Sequence, residues 1–461
     1  MSLTVYNSMS RTKEPFETYE PGVVRMYVCG VTVYSDAHIG HARAFITFDI
    51  VRRYLEWSGY IVHHAQNFTD IDDKIINRAR DLGITEEMLT EQLIEDWAEE
   101  TRALNIMPAT VYPRATQEIP EIIEMIQGLI QLEHAYPVDG GDVNYRVSSF
   151  AEYGKLSGRK LEDMQAGARI EVDPRKEHPM DFALWKAAKP GEISWDSPWG
   201  PGRPGWHIEC SVMALQHLGN RLDIHGGGED LVFPHHENEI AQSEAFPENR
   251  PFARYWMHNG LLQFSGEKMS KSIGNLVNIR ELIANGDARA FRLMALQSVY
   301  RVPLTFTEEG LEAARRGLER LDLAMRAGGD TRDAISPDVT AALTDAEQRF
   351  REAMDDDFNT PVAVSVLFDL SRTANRADGA DKTAAQAKLS ELASVLGLEL
   401  QAPESSGGGD AGPFIDLLLA IRDELRTQKN WALSDAIRDG LAERGVTVED
   451  SPTGATWRRR S

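Results

Sequence analysis

Cysteine is nearly missing: Cys29 and Cys210 are the only two among 461 residues. So sparse and distant a pair supplies no disulfide framework, which excludes a small stapled fold and suits a reducing compartment. Long apolar runs are missing too. Nothing approaches the roughly 20 residues a membrane span needs, and Met1 to Phe16 has no apolar core of leader length. A cytoplasmic protein without a membrane partner is the expectation. Positive charge is in short supply, 49 Lys and Arg against 72 Asp and Glu for a net −23, which points away from nonspecific nucleic-acid binding, although net charge averages over the surface. A local basic track remains open at Arg315, Arg316, Arg320 and the closing Arg458, Arg459 and Arg460, each equally readable as part of a solvated face.

What is present is ordinary globular composition, 42% hydrophobic and 26% charged, in a chain long enough for about two to four structural units. Val23 to Val28 reads as a strand, the stretch with Phe45, Phe48, Val51 and Leu55 on one face as a helix closed near Gly59, and Tyr60 to Phe68 as a second strand. That is a βαβ unit with parallel strands. Residues 85 to 104 and about 118 to 133 read as further helices, and a Gly- and Pro-rich stretch runs through Pro204. The fold resumes with Trp206 to Leu218 and the strand Leu222 to His225, which ends on a turn of Gly226, Gly227 and Gly228. From Thr307 the chain is helical, with later helices near Asp338, Pro361 and Ala384. The predicted architecture is α/β: a Rossmann-type parallel-sheet catalytic domain (1–112 and 201–306) split by an insertion (113–200). An α-helical bundle (307–401), a linker (402–412) and a small C-terminal α+β unit (413–461) follow.

His38-Ile39-Gly40-His41 sits where the first strand hands over to the helix, and it is answered far along the chain by Lys268-Met269-Ser270-Lys271-Ser272. A helix start gathers unpaired N–H groups and the positive end of the helix dipole, which suits phosphate. Two imidazoles and a glycine there, with two lysines on a distant loop flanked by Gly266 and Gly274, suit ATP gripped from both ends. The ordered pair of strings resembles the signature of class I aminoacyl-tRNA synthetases. It implies that His38 and His41 donate to phosphate oxygens, that Gly40 lets adenine and ribose lie close, and that Lys268 and Lys271 approach the outer phosphates, with Mg²⁺ accompanying the nucleotide. The glycines Gly226, Gly227 and Gly228 should face the same crevice.

Two thiols, an imidazole and a carboxylate can make a tetrahedral zinc site. Cys29 ends the strand before the HIGH turn, and His235 and Glu239 lie four apart on a helix face; His207 and His236 are rival nitrogen ligands. Two buried free cysteines remain the other reading. Tyr27-Val28-Cys29-Gly30, Asn67 to Lys74, Gly205 to Cys210 and Phe233 to Glu239 are together similar to the cysteinyl-tRNA synthetase family over nearly the whole chain. Val31 and Ser35 depart from residues common in that family, at positions that carry neither a ligand nor a phosphate contact. The resemblance implies a zinc ion on Cys29, Cys210, His235 and Glu239 that takes the thiol of L-cysteine as an added ligand, which a serine hydroxyl cannot match. A separate editing domain is then unnecessary, because the discrimination exceeds what an apolar pocket supplies. It further implies activation of cysteine with ATP and transfer to the terminal ribose of tRNA(Cys), by a monomer. Asp230 is placed to pair with the substrate ammonium, although a carboxylate after a glycine turn also reads as a helix N-cap; Trp206 is placed to wall the pocket, although it also reads as core, and Thr32 is a further candidate. Arg426, Trp431 and Asp435 are candidates to read unpaired anticodon bases, although Trp431 also reads as core. Asp70, Asp72 and Asp73 resemble a Mg²⁺ cluster, but helix capping and pairing with Lys74 and Arg78 is the preferred reading. The rival functions are a cysteine ligase acting on an amino sugar and a noncatalytic RNA-binding relative.

Overall fold

The first strand of the parallel sheet, Val23–Thr32, is buried along most of its length, as a strand covered on both sheet faces must be. It lies inside a four-stranded parallel sheet of spatial order Ala253–Asn259, Leu222–Gly228, Val23–Thr32, Ile61–Thr69. The structure, a computed structural model, describes residues 2–161, 173–264, 267–268, 277–326, 334–402, 412–451 and 454–459. Helix Ile39–Trp57 returns the chain to Ile61–Thr69, which pairs with the first strand from Val23↔Ile61 to Thr32↔Thr69. The strand Leu222–Gly228 pairs on the opposite side, Met26↔Ile224 through Val28↔Gly226. Strand order thus reverses at Val23–Thr32, and the crevice beyond the carboxyl ends at such a switch point is where α/β sheets hold ligands.

The expected glycine turn is instead the end of a strand. Gly226, Gly227 and Gly228 pair in register with Met257, His258 and Asn259. Glycine is needed there for close packing: a Cβ on Gly226 would meet the Phe48 ring of the HIGH helix at 2.2 Å. The first strand likewise runs on to Thr32, past the expected end at Val28.

Between the halves of the sheet, helix Ile119–Gln131 precedes an antiparallel sheet of Ala135–Pro137, Val143–Tyr145, Phe182–Ala187 and Gly202–Pro204. Its turn at Gly154–Ser157 is pinned by the buried Glu237 carboxylate, which accepts from the N–H groups of Gly154 (2.9 Å) and Ser157 (2.8 Å). Helices Glu308–Leu323, Pro337–Asp355, Thr360–Arg376 and Gly379–Val395 follow, the last starting earlier than the expected Ala384. Tyr54 of the HIGH helix donates to Asp355 (2.7 Å). Buried Arg292, on helix Ala288–Leu296, donates to Leu396 O (2.9 Å) and Leu104 O (2.8 Å) and pairs with Asp49, so the end of the last of these helices is tied to the HIGH helix. Arg315 pairs with Asp287 and Glu312, Arg316 with Glu312 and Arg458 with Glu449, and Arg320 lies over the Phe368 ring. These arginines are engaged within the fold, which favours the solvated-face reading over a basic track.

The chain divides into two units, Met1–Leu321 with Gly328–Leu400 and Asp322–Ala327 with Gln401–Ser461. The second contains helices Gly412–Thr427 and Trp431–Ala442 and the hairpin Val446–Ser451/Gly454–Arg459 around Ile415, Leu419, Leu441 and Val446. Its buried Arg422 makes a bidentate pair with Asp450 (2.6 and 2.9 Å). Of the expected linker 402–412, residues 403–411 lie outside the described residues. No helix among those described is long and apolar enough to cross a membrane.

His64, on the strand Ile61–Thr69, is buried with neither ring nitrogen hydrogen-bonded. Burial, helped by the Arg52 charge, pulls its pKa down to about 3. The fold therefore holds the neutral ring, and the associated stability is complete above the unfolded value of about 6.5 and is lost as pH falls toward 3. By pH 5 the loss is about 2 kcal/mol. His64→Leu is expected to flatten this acid limb in denaturant titrations run between pH 7 and pH 5; an unaltered slope refutes the assignment.

Candidate active site and metal centre

The HIGH turn is built by its own histidines. His38 is the N-cap of helix Ile39–Trp57, extended at φ −117°, and its side chain accepts from the Gly40 N–H at Nδ1 (3.1 Å). His41 Nδ1 accepts in turn from the His38 N–H (3.3 Å), and the two rings stack with centroids 3.8 Å apart. With Nδ1 an acceptor in both, the proton of each neutral ring sits on Nε2, so each presents an Nε2–H donor. The chain beyond the second motif returns to the same turn: the Ile39 N–H donates to Val277 O (3.0 Å) and the Ile279 N–H to Ala37 O (3.2 Å). Lys268 lies in the short strand Glu267–Lys268, paired with Gln263. Lys271, Gly266 and Gly274 lie outside the described residues.

Cys29, Cys210, His235 and Glu239 converge although 181 residues separate the two cysteines. Their donor atoms lie within 4.8 Å of one another, and all four residues are buried. The two sulfurs are 3.9 Å apart, Cys29 Sγ is 3.5 Å from Glu239 Oε1, and that oxygen is 3.1 Å from His235 Nε2. Burial pushes the Cys29 thiol well up, with Cys210 and Glu239 adding to it, and the His235 imidazole well down. Two thiols, a neutral ring and a carboxylate crowded out of water are the donor set a divalent cation would satisfy.

Neither rival histidine lies idle. His207 Nδ1 faces His235 Nδ1 (2.9 Å), on the side of the ring away from the cluster. His236 Nε2 reaches Cys29 Sγ (3.3 Å) while its Nδ1 faces His258 (2.8 Å), which contacts Ser8 Oγ (2.8 Å). His225 Nε2 donates to Glu239 Oε2 (2.8 Å). A second candidate quartet, Cys29, His225, His236 and Glu239, thus shares two members with the first. His225 and His258 escape sequence reasoning because only the pairing of their two parallel strands brings them to the cluster. Trp206, the first residue of helix Trp206–Leu218, is 37% exposed and stacks on His235 with centroids 4.2 Å apart. Thr32 ends the first strand, and Asp230 is exposed on the short turn Glu229–Leu231 beside the glycine strand end.

Residues 15–316 match the class I (C) tRNA synthetase catalytic domain, 349–401 a DALR domain and 410–458 the cysteinyl-tRNA ligase anticodon binding domain. A cysteine–tRNA ligase of Dehalococcoides mccartyi is 52% identical over 459 residues, 99% of each chain. One of Heliobacterium modesticaldum is 49% identical over 100% of both. The chain belongs to the cysteine–tRNA ligase family. The methionyl-tRNA synthetase of Mycobacterium tuberculosis in complex with methionyl-adenylate has the same fold, with a TM-score of 0.55 at 16% identity over 86% of this chain and 94% of that one.

In this ligase the three acidic residues after Thr69 have partners within the fold other than the expected Lys74 and Arg78 side chains. Asp72 caps helix Asp73–Leu82 by accepting from the Lys74 N–H (2.9 Å), Asp73 pairs with Lys186 and Arg203, and Asp70 accepts from the Thr116 N–H (3.0 Å) and hydroxyl (2.6 Å). In the second unit Arg426 pairs with Asp450 (2.7 Å), Asp435 lies 3.4 Å from Arg438, and Trp431 opens its helix 56% exposed, outside the small core.

Proposed function

We propose that this ligase charges tRNA(Cys) by way of a cysteinyl-adenylate, with a zinc ion on Cys29, Cys210, His235 and Glu239 selecting the thiol. The convergence of those four side chains beside the HIGH turn's strand carries the reading. Two sulfurs each roughly 2.3 Å from a tetrahedral zinc would lie about 3.8 Å apart, close to the spacing seen. When bound, zinc supplies a borderline-soft Lewis acid that prefers a thiolate to a neutral hydroxyl.

The substrate carboxylate oxygen attacks the α-phosphorus of ATP, the bond to the bridging oxygen breaks, and pyrophosphate leaves. His38 and His41 hold phosphate oxygens through their Nε2–H groups, and Gly40 with the strand end at Gly226, Gly227 and Gly228 admits the nucleotide close to backbone. Lys268 and Lys271 neutralise the outer phosphates, with Mg²⁺ accompanying ATP. Asp230 pairs with the substrate ammonium, and Trp206 and Thr32 wall the pocket. The terminal ribose hydroxyl of the tRNA then attacks the activated carbonyl and AMP leaves. Within the proposed organisation the helical region 307–401 contacts the tRNA. The small unit 413–461 reads the anticodon through Arg426, Trp431 and Asp435, of which exposed Trp431 is the one built to stack a base. A monomer in the cytoplasm completes the reading.

The decisive experiment follows pyrophosphate exchange with cysteine as the sole amino acid, and then transfer to tRNA(Cys) and to an amino sugar in parallel. Exchange with cysteine and transfer to tRNA alone is the expected result. Transfer to the sugar points to a cysteine ligase of thiol-cofactor synthesis, and no exchange points to a noncatalytic RNA-binding relative; either overturns the assignment. The match to an anticodon binding domain at 410–458 favours tRNA over the sugar.

A further inference from the structure

Arg43, two residues beyond the HIGH string, is 2% exposed and makes no ion pair among the described residues. Its guanidinium donates to three backbone carbonyls, Leu261 O (2.8 Å), Tyr300 O (3.3 Å) and Val302 O. Burial lowers its pKa to about 10, so it stays charged at neutral pH. A buried cation satisfied only by carbonyls is a costly fixture where an apolar side chain would pack. Its five-donor fork can bridge segments that one ammonium cannot.

The acceptors show what is bridged. Leu261 precedes the strand Leu262–Phe264, which pairs antiparallel with Glu267–Lys268 and parallel with Leu304–Phe306. The second and third acceptors lie just before Leu304, and the two segments meet so closely that a Cβ on Gly260 would sit 2.4 Å from the Val302 carbonyl carbon. Beyond the second motif, the chain is tied to the HIGH turn by the Ile39–Val277 and Ile279–Ala37 hydrogen bonds.

We propose that Arg43 is a positioning residue for adenylate formation: it holds the base of the lysine-bearing hairpin at a set distance from the helix whose first turn holds the phosphates. This rests on the reading of His38, His41, Lys268 and Lys271 given above. Arg43 touches no reacting atom and acts through the placement of those lysines.

Arg43→Met is expected to lower kcat of cysteine-dependent pyrophosphate exchange about a hundredfold, the scale of an ångström of misplacement, with KM for cysteine unchanged. Millimolar guanidinium restores part of the rate. Arg43→Lys keeps the charge and the thermal midpoint but reaches fewer carbonyls, and loses about tenfold; it keeps the test alive if the methionine variant does not fold. Gly260→Ala, which pushes the two clamped segments apart, lowers kcat in the same way. In a background carrying both Lys268→Ala and Lys271→Ala, Arg43→Met adds little further loss, since the lysines to be placed are gone. Full kcat in Arg43→Lys, a loss confined to KM, or losses that multiply independently when Arg43→Met is combined with the two lysine substitutions overturn the positioning role. Full exchange in Lys271→Ala alone overturns the reading of the lysine instead, and leaves a slow Arg43→Met to be explained as a purely structural defect.

Discussion

Replacing Cys210 by serine is expected to strip the metal and sharply reduce the preference for cysteine over serine. The substitution removes one of two sulfur donors from a site where the remaining partners are a thiol, an imidazole and a carboxylate within 4.8 Å. Loss of an outer-shell partner alone costs about 10- to 100-fold in metal affinity, so loss of a ligand should exceed about 100-fold. Discrimination should then fall to what an apolar pocket achieves, about 10- to 200-fold. Metal content per chain and pyrophosphate exchange with the two amino acids measure both effects. The second quartet makes the experiment sharper, because Cys29, His225, His236 and Glu239 do not include Cys210. A variant that keeps one metal per chain and full discrimination would move the ion to that quartet, and His236→Ala would then be the variant that loses it.

Replacing His41 by alanine is expected to lower the rate of adenylate formation about 10²- to 10³-fold, the usual cost of one preorganised donor to a developing oxyanion. The same imidazole caps its helix through the His38 N–H, so a loss of about 1 kcal/mol in stability should accompany the kinetic defect. The two effects separate experimentally. Thermal midpoints report the cap, and exchange kinetics at saturating ATP report the donor. His41→Asn, whose side-chain oxygen can take over the cap, should recover stability more fully than rate. Exchange within about threefold of the parent for His41→Ala would remove the ring from the chemistry, since a loss that small is well under the cost of one such donor.

The strings around Cys29, His38, Cys210 and His235 are legible because each is local: a few side chains whose chemistry depends on near neighbours and on the strand or helix they start. The parallel βαβ unit is legible for the same reason, since periodicity reports which faces are buried. What periodicity misreads is a residue whose role comes from a distant partner. Gly226 reads as a turn residue, yet its missing side chain makes room for Phe48, and the strand continues through it. Asp73 reads as a partner for the next turn of its own helix, yet the inserted sheet delivers Lys186 and Arg203 to it. Arg43 gives no sign of its role in the sequence, and only the approach of the Leu261, Tyr300 and Val302 carbonyls shows why it is buried.

The sequence by itself determined the donor types, their order along the chain and the strand-to-helix turn at His38, because these follow from side-chain chemistry and short-range geometry. Tertiary structure decided which histidines face Glu239 and Cys29, which partners the acidic residues after Thr69 take, and how Arg43 reaches the carbonyls of Leu261, Tyr300 and Val302. Those answers depend on how parallel strands far apart in the chain register beside one another, and that register is set by the packing of whole faces rather than by any local run of residues.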